Sequence, residues 1–285
     1  MYSRAGGKDM TGKELKAFAN EVRIATVKCL EKRGFGHIGG CLSIADVLAV
    51  LYNGEMKIDP KDPGKKDRDM LVVSKGHAGP AVFAALALKG YFPIDWLDTL
   101  CEGGTRLPSH CDRLRTPGID ASTGSLGQGL SLANGLAQGA KLKKLPNRIY
   151  CLMGDGEIQE GQIWEAAMYA HQYKLNNLVG IVDWNKKQID GTTDECISLL
   201  DIEDKFRSFG WYALTVKGND PEAIRDAVSN VRENQGDKPA MIVLDGTKGS
   251  GVKCIEEMVF NHMIPVDREL ADKCLAELEE VKASL

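Results

Sequence analysis

Asp155 lies between Gly154 and Gly156, directly behind an apolar run at residues 149–153, and Asn185 stands just past a second apolar run at 178–183. Read as strands, the two runs put a carboxylate and an amide carbonyl at strand ends, where a parallel sheet keeps its ligand crevice. Both oxygens are hard donors that suit Mg²⁺, a cation that retains waters or phosphate oxygens in the rest of its shell. Flanking glycines let the backbone approach a diphosphate closely, and a helix beginning nearby presents free N–H groups to it. Gly-Asp-Gly by itself is also a common turn. A metal–diphosphate site therefore rests on the spaced asparagine and on the motifs around it.

Histidine supplies the second candidate chemistry, because modest changes of environment move it between acid and base near neutral pH. Of the five histidines, His37, His77, His110 and His262 sit among Gly, Pro, Ser or Asn, as turn or loop residues do. A lone loop histidine is more often a surface residue than a catalyst. His171 falls within a helical pattern at 165–173 and reads as structural.

The elements that must position these groups can be outlined from pattern. Thr11 and Glu14 have the spacing of a capping box and open a helix to about Arg33. Ser43 begins another, with Ile44, Val47, Leu48 and Leu51 on one face. Residues 53–69, rich in Lys, Asp, Pro and Gly, read as an exposed loop, and 70–73 as a short buried strand. The segment 124–129 opens a helix to about Lys144. Strand 149–153, helix 162–173 and strand 178–183 form one βαβ unit; 212–216, 221–233 and 240–245 form another. Such alternation predicts an α/β fold, a parallel sheet with helices on both faces. A charged amphipathic helix from Asp267 to about Leu285 ends the chain. One domain is expected, with a core over about 12–265.

The Gly154-Asp155-Gly156 run followed by Asn185 resembles the thiamine diphosphate signature, and the stretch to Gly161 looks like the transketolase version of it. Four more motifs match in family order: Gly36-His37-Ile38-Gly39-Gly40, Ser74-Lys75-Gly76-His77-Ala78, Ser122-Thr123-Gly124-Ser125-Leu126-Gly127-Gln128-Gly129, and Thr247-Lys248-Gly249-Ser250-Gly251-Val252. The resemblance covers only the N-terminal, diphosphate-binding half of a full transketolase.

That resemblance implies a set of site residues. Asp155 and Asn185 ligate Mg²⁺ together with the main-chain carbonyl of Lys187. Gly154, Gly156, Glu157 and Ser125 belong to the thiamine diphosphate site. His77 and His262 contact the diphosphate, while His37 and His110 stand over the substrate's hydroxyl and carbonyl oxygens. Gly124 and Leu126 pack the aminopyrimidine, Ile189 supports the thiazolium, and Glu160 faces a partner subunit. Asn261-His262-Met263 departs from the family pattern, so a changed loop there could swing His262 away; Cys41 replaces a commoner Pro or Ser.

The implied reaction is transfer of a two-carbon ketol unit from a ketose, a sugar phosphate, to an aldose. The activating glutamate, the pyrimidine-stacking aromatics and the sugar-phosphate arginines belong to the family's following domain. A C-terminal partner subunit, in an α₂β₂ assembly, is therefore expected to supply them. One alternative is a transketolase subunit for a sulfonated or branched ketose. Others are a deoxyxylulose-phosphate synthase or 2-oxo acid dehydrogenase subunit, and a non-catalytic subunit.

Size and composition constrain the rest. A chain of 285 residues with 43% hydrophobic content can bury a sizeable core. A net charge of −4 offers no basic stripe for nucleic acid. No apolar run approaches ~20 residues, and the polar start at residues 1–9 is no signal peptide, so a cytoplasmic location without membrane contact is expected. The eight cysteines lack CxxC spacing and read as reduced residues. A dinucleotide-binding reading fails, because no GxGxxG follows the first strand.

Overall fold

The computed structural model describes residues 10–285. The expected polar start at residues 1–9 lies outside the described residues. In chain order the elements are α1 (Gly12–Arg33), β1 (Phe35–Gly36), α2 (Ile38–Leu42), α3 (Ala45–Val50), β2 (Met70–Val73), α4 (Gly79–Leu88) and α5 (Gly129–Leu142). After them come β3 (Ile149–Gly154), α6 (Gly161–Gln172), β4 (Leu178–Trp184), α7 (Thr193–Cys196), α8 (Ile202–Ser208) and β5 (Tyr212–Lys217). The chain closes with α9 (Pro221–Asn234), β6 (Ala240–Asp245), α10 (Lys253–Glu256), β7 (Ile264–Pro265) and α11 (Arg268–Ser284).

Five strands make a wholly parallel sheet in the order β2-β3-β4-β6-β5, the α/β arrangement expected from the alternating pattern. Side chains of a strand alternate between faces, and here both faces are covered. Tyr150, Leu152, Val179, Ile181, Ile242 and Leu244 join one core with α1, α3, α4, α9 and α11. Their neighbours Ile149, Cys151, Met153, Val182, Met241 and Val243 join the other with α5, α6 and α8. Strands buried on both sides read as unbroken apolar runs, which is why they were visible in sequence.

α1 begins with the expected capping box: Glu14 N–H donates to Thr11 Oγ1 at 3.2 Å and Thr11 N–H to Glu14 Oε2 at 2.8 Å. It stops at Gly34, whose φ of 89° suits a residue without Cβ. Four details differ from expectation. Ser43 closes α2 rather than opening a helix, and α3 is buried on every side between α1, α4 and α9 instead of showing one apolar face. Residues 124–128 form a turn with positive φ at Gly124 and Gly127, so α5 starts only at Gly129. His171 lies exposed in the last turn of α6 against Gly210, not mid-helix.

Candidate functional site

Loops that leave the C-terminal ends of four adjacent strands, β2, β3, β4 and β6, converge on a cleft of about 330 Å³. Asp155 follows β3. It is buried; its Oδ1 accepts from Gly156 N–H at 2.8 Å and its Oδ2 from Lys186 N–H at 2.6 Å. Burial and then the neighbouring Asp183 carboxylate push Asp155 up to about 6.

Asn185 follows β4, with its amide oriented by Asp183: Nδ2 donates to Asp183 Oδ2 at 2.7 Å, which leaves the carbonyl oxygen as the group presented elsewhere. That oxygen accepts Lys187 N–H at 3.2 Å. Lys187 itself turns its side chain away, donating to the Met258 carbonyl at 2.9 Å, and only its backbone belongs with the acceptor set. Among the described residues no three His, Cys, Asp or Glu side chains converge on a metal seat. A cation here must therefore use one carboxylate with amide and main-chain oxygens. Such a hard, mostly neutral donor set fits Mg²⁺ that shares phosphate oxygens.

Two ammoniums complete the floor, and neither was singled out from sequence. Lys75 Nζ lies 2.6 Å from Asp183 Oδ2, with both side chains buried, and Ser43 Oγ donates to the same oxygen at 2.8 Å. Lys248 Nζ donates to the Lys187 carbonyl at 2.9 Å and lies 2.8 Å from His262 Nδ1. Burial, and then the charge of Lys75, pull Lys248 down to about 8. Asp183 carried a readable signal: a carboxylate closing a fully buried strand requires a partner. Both lysines stand inside motifs already picked out, but nothing local marks them as buried.

Four histidines meet above this floor. The His37 ring centroid lies 5.0 Å from His77, 5.3 Å from His262 and 6.3 Å from His110, and His77 and His262 are 5.1 Å apart. Burial lowers all four, with His110 adding to the effect at His37 and Lys75 at His77. His37 falls to about 4 and His262 to about 3. Neutral imidazoles result, each with one N–H and one lone pair. The altered loop does not swing His262 out. Asn261 is buried, donates to the carbonyls of Lys248 and Ile255 at 3.2 and 2.8 Å, and receives Gly39 N–H at 3.1 Å.

Gly154, Gly156, Gly124, Leu126 and Ile189 line the cleft with these groups. Leu126 and Ile189 are exposed, 40% and 66%, as apolar side chains awaiting cover would be. Gly124 holds φ at 145°, and a Cβ there would come within 3.1 Å of the His110 ring. Glu157 touches the cleft, but its oxygens are engaged by the N–H groups of Gly127 at 2.9 Å and Gly154 at 3.0 Å and by the Ser74 hydroxyl. It braces two glycine turns against β2. Ser125 and Glu160 are exposed and lie outside the lining. Cys41 is buried with its thiol 3.9 Å from the His77 carbonyl, and burial pushes it up to about 12. All eight cysteines are free.

Residues 15–273 match the family described as "Transketolase, thiamine diphosphate binding domain". A "6-deoxy-6-sulfo-D-fructose transketolase subunit" of Clostridium sp. (strain MSTE9) is 51% identical, over 94% of this chain and 97% of its own. One subunit of an "Apulose-4-phosphate transketolase" from Phocaeicola vulgatus is 40% identical, over 94% of both chains. The crystal structure of transketolase from Campylobacter jejuni superposes with a TM-score of 0.88 at 30% identity, covering 95% of this chain and 43% of that one. The chain thus spans under half of that full-length enzyme, yet nearly the whole of relatives that are single subunits. With the fold and the family match in agreement, the chain belongs to the transketolase family, as its thiamine diphosphate-binding domain.

Proposed function

We propose that this chain is the N-terminal subunit of a two-subunit transketolase, transferring a two-carbon ketol unit from a ketose to an aldose with thiamine diphosphate and Mg²⁺. The observation that carries the reading is one cleft holding a hard-oxygen acceptor set, two buried ammoniums and four neutral histidines. Asp155, Asn185 and the Lys187 carbonyl would hold the metal. Lys75, Lys248, His77 and His262 would face the diphosphate. Bound thiamine diphosphate supplies the carbanion chemistry, which the protein itself cannot perform.

The chain's own part is binding, orientation and proton handling. Held neutral, His37 and His110 can accept a proton from a substrate hydroxyl or donate a hydrogen bond to its carbonyl oxygen. Gly124 and Leu126 pack the pyrimidine side, Ile189 the thiazolium side, and Ser125 and Glu160 stand outside the lining, where a partner can reach them. The residues form one pyrophosphate-binding domain with its core over about 12–265. Completion of the site falls to a C-terminal partner subunit in an α₂β₂ assembly. Among the described residues no helix is long and apolar enough to cross a membrane, and free cysteines suit a reducing, cytoplasmic setting.

The alternative of a sulfonated ketose is supported by the sulfo-sugar name of the 51% identical relative. The test is reconstitution: the chain alone should show no ketol transfer, and addition of a C-terminal subunit should restore it. Full turnover by the chain alone would contradict the two-subunit reading.

A further inference from the structure

A second hollow of about 350 Å³ shares His37 and His77 with the cofactor cleft, so the two spaces meet at those imidazoles. Its other walls carry Arg33, Arg115, Phe35, Ser109 and a single acid, Glu102. The Arg33 guanidinium sits 4.2 Å from the centre of the Phe35 ring, and among the described residues no carboxylate pairs with it. Among the described residues the Arg115 side chain reaches only a loose contact, Nε to Asp112 Oδ2 at 3.5 Å, and it is 58% exposed. Two underused guanidiniums against one carboxylate make the hollow an anion seat. Planar donor forks match tetrahedral oxyanions, and the volume lies within the range of small-molecule sites.

We propose that this hollow receives the anionic tail of the sugar, a phosphate monoester or a sulfonate, held by Arg33 and Arg115 while the reacting carbonyl lies beyond His37 and His77. The inference rests on the ketol-transfer reading and deepens it. Recognition of the tail is thereby shared by this chain instead of belonging wholly to the partner. The two oxyanions share their geometry and differ in charge, so the test treats them separately.

Arg33→Met and Arg115→Met, assembled with the partner subunit, are assayed with fructose 6-phosphate, 6-deoxy-6-sulfofructose and unsubstituted fructose as donors. Each variant should raise KM for at least one anionic donor roughly tenfold, as loss of a charge-assisted hydrogen bond does. Values for fructose should not change. The donor whose KM moves identifies the oxyanion. Unchanged KM for both anions overturns the subsite, as does an equal rise for fructose. So does an equal effect from Arg106→Met, whose guanidinium lies 5.4 Å over Trp96 and does not line the hollow. A calorimetric titration of the full chain with fructose 6-phosphate and with the sulfonate needs no turnover. Heat lost in the double variant supports the subsite even if the wild-type assembly transfers no ketol unit. Equal heat in wild type and double variant overturns it.

Discussion

The ammonium of Lys75 lies 2.6 Å from Oδ2 of Asp183, and that same oxygen receives the Asn185 amide at 2.7 Å. One buried carboxylate therefore couples the β2 loop to the β4 loop and fixes which end of the Asn185 amide faces the cleft. Breaking a buried pair leaves an uncompensated charge, so Lys75→Met should cost about 3 kcal/mol or more in urea unfolding. The Lys75→Met/Asp183→Asn double variant removes both charges and should recover part of that loss. A single variant as stable as wild type would show that Asp183 is neutralised in another way.

Lys248 bridges the Lys187 carbonyl and His262, and supplies a positive charge beside Asp155. Lys248→Met should weaken calorimetric binding of thiamine diphosphate to the assembled enzyme roughly tenfold to hundredfold, the worth of a charge-assisted hydrogen bond. Unaltered affinity would remove the lysine from the diphosphate's surroundings.

A Cβ added at Gly129 would collide with the Ser74 side chain. Gly129 N–H also donates to Ser74 Oγ at 3.1 Å, and that hydroxyl in turn donates to Glu157. Alanine in a helix ordinarily gains about 1 kcal/mol over glycine. Here overpacking should reverse the sign and cost about 1–3 kcal/mol, measured by urea unfolding. Gly135, in the same helix with open space around its Cβ position, is the control at which alanine should stabilise.

His37 is held down to about 4, first by burial and then by His110. Between that value and the ordinary 6.5, the unfolded chain binds the proton and the folded chain does not. Stability therefore falls as pH drops through this window and is regained as pH rises. His37→Gln lacks that proton uptake. The stability of wild type relative to His37→Gln should thus decrease from pH 7.5 to pH 5 in urea titrations. A constant difference would mean that the ring stays accessible to protons when folded.

Much of the fold was legible because burial on both sheet faces leaves unbroken apolar strands, and because Thr11 and Glu14 mark α1 locally. The Gly-Asp-Gly turn, Asn185 and the four loop histidines were legible as residue types suited to chemistry. α4 was not, since its sequence is apolar on every side and shows no helical period. The helix α3 was legible, but its start was misplaced at Ser43 because residues 38–52 are buried throughout and mark no boundary. Lys75 and Lys248 were missed because their burial is decided by Asp183 and the Lys187 carbonyl, residues remote in sequence. His262 keeps its place through Asn261, whose anchoring bonds also run to distant backbone.

In the proposed function, Asp155, Asn185 and the Lys187 carbonyl grip a divalent cation that fastens the cofactor's diphosphate to this subunit. Calorimetric titration of thiamine diphosphate into the assembled enzyme, with Mg²⁺ or with chelator, tests it most directly when wild type and Asp155→Ala are compared. Binding is expected only for wild type with metal, with the variant still folded and at least about a hundredfold weaker. Equal binding in chelator, or by Asp155→Ala, would contradict it.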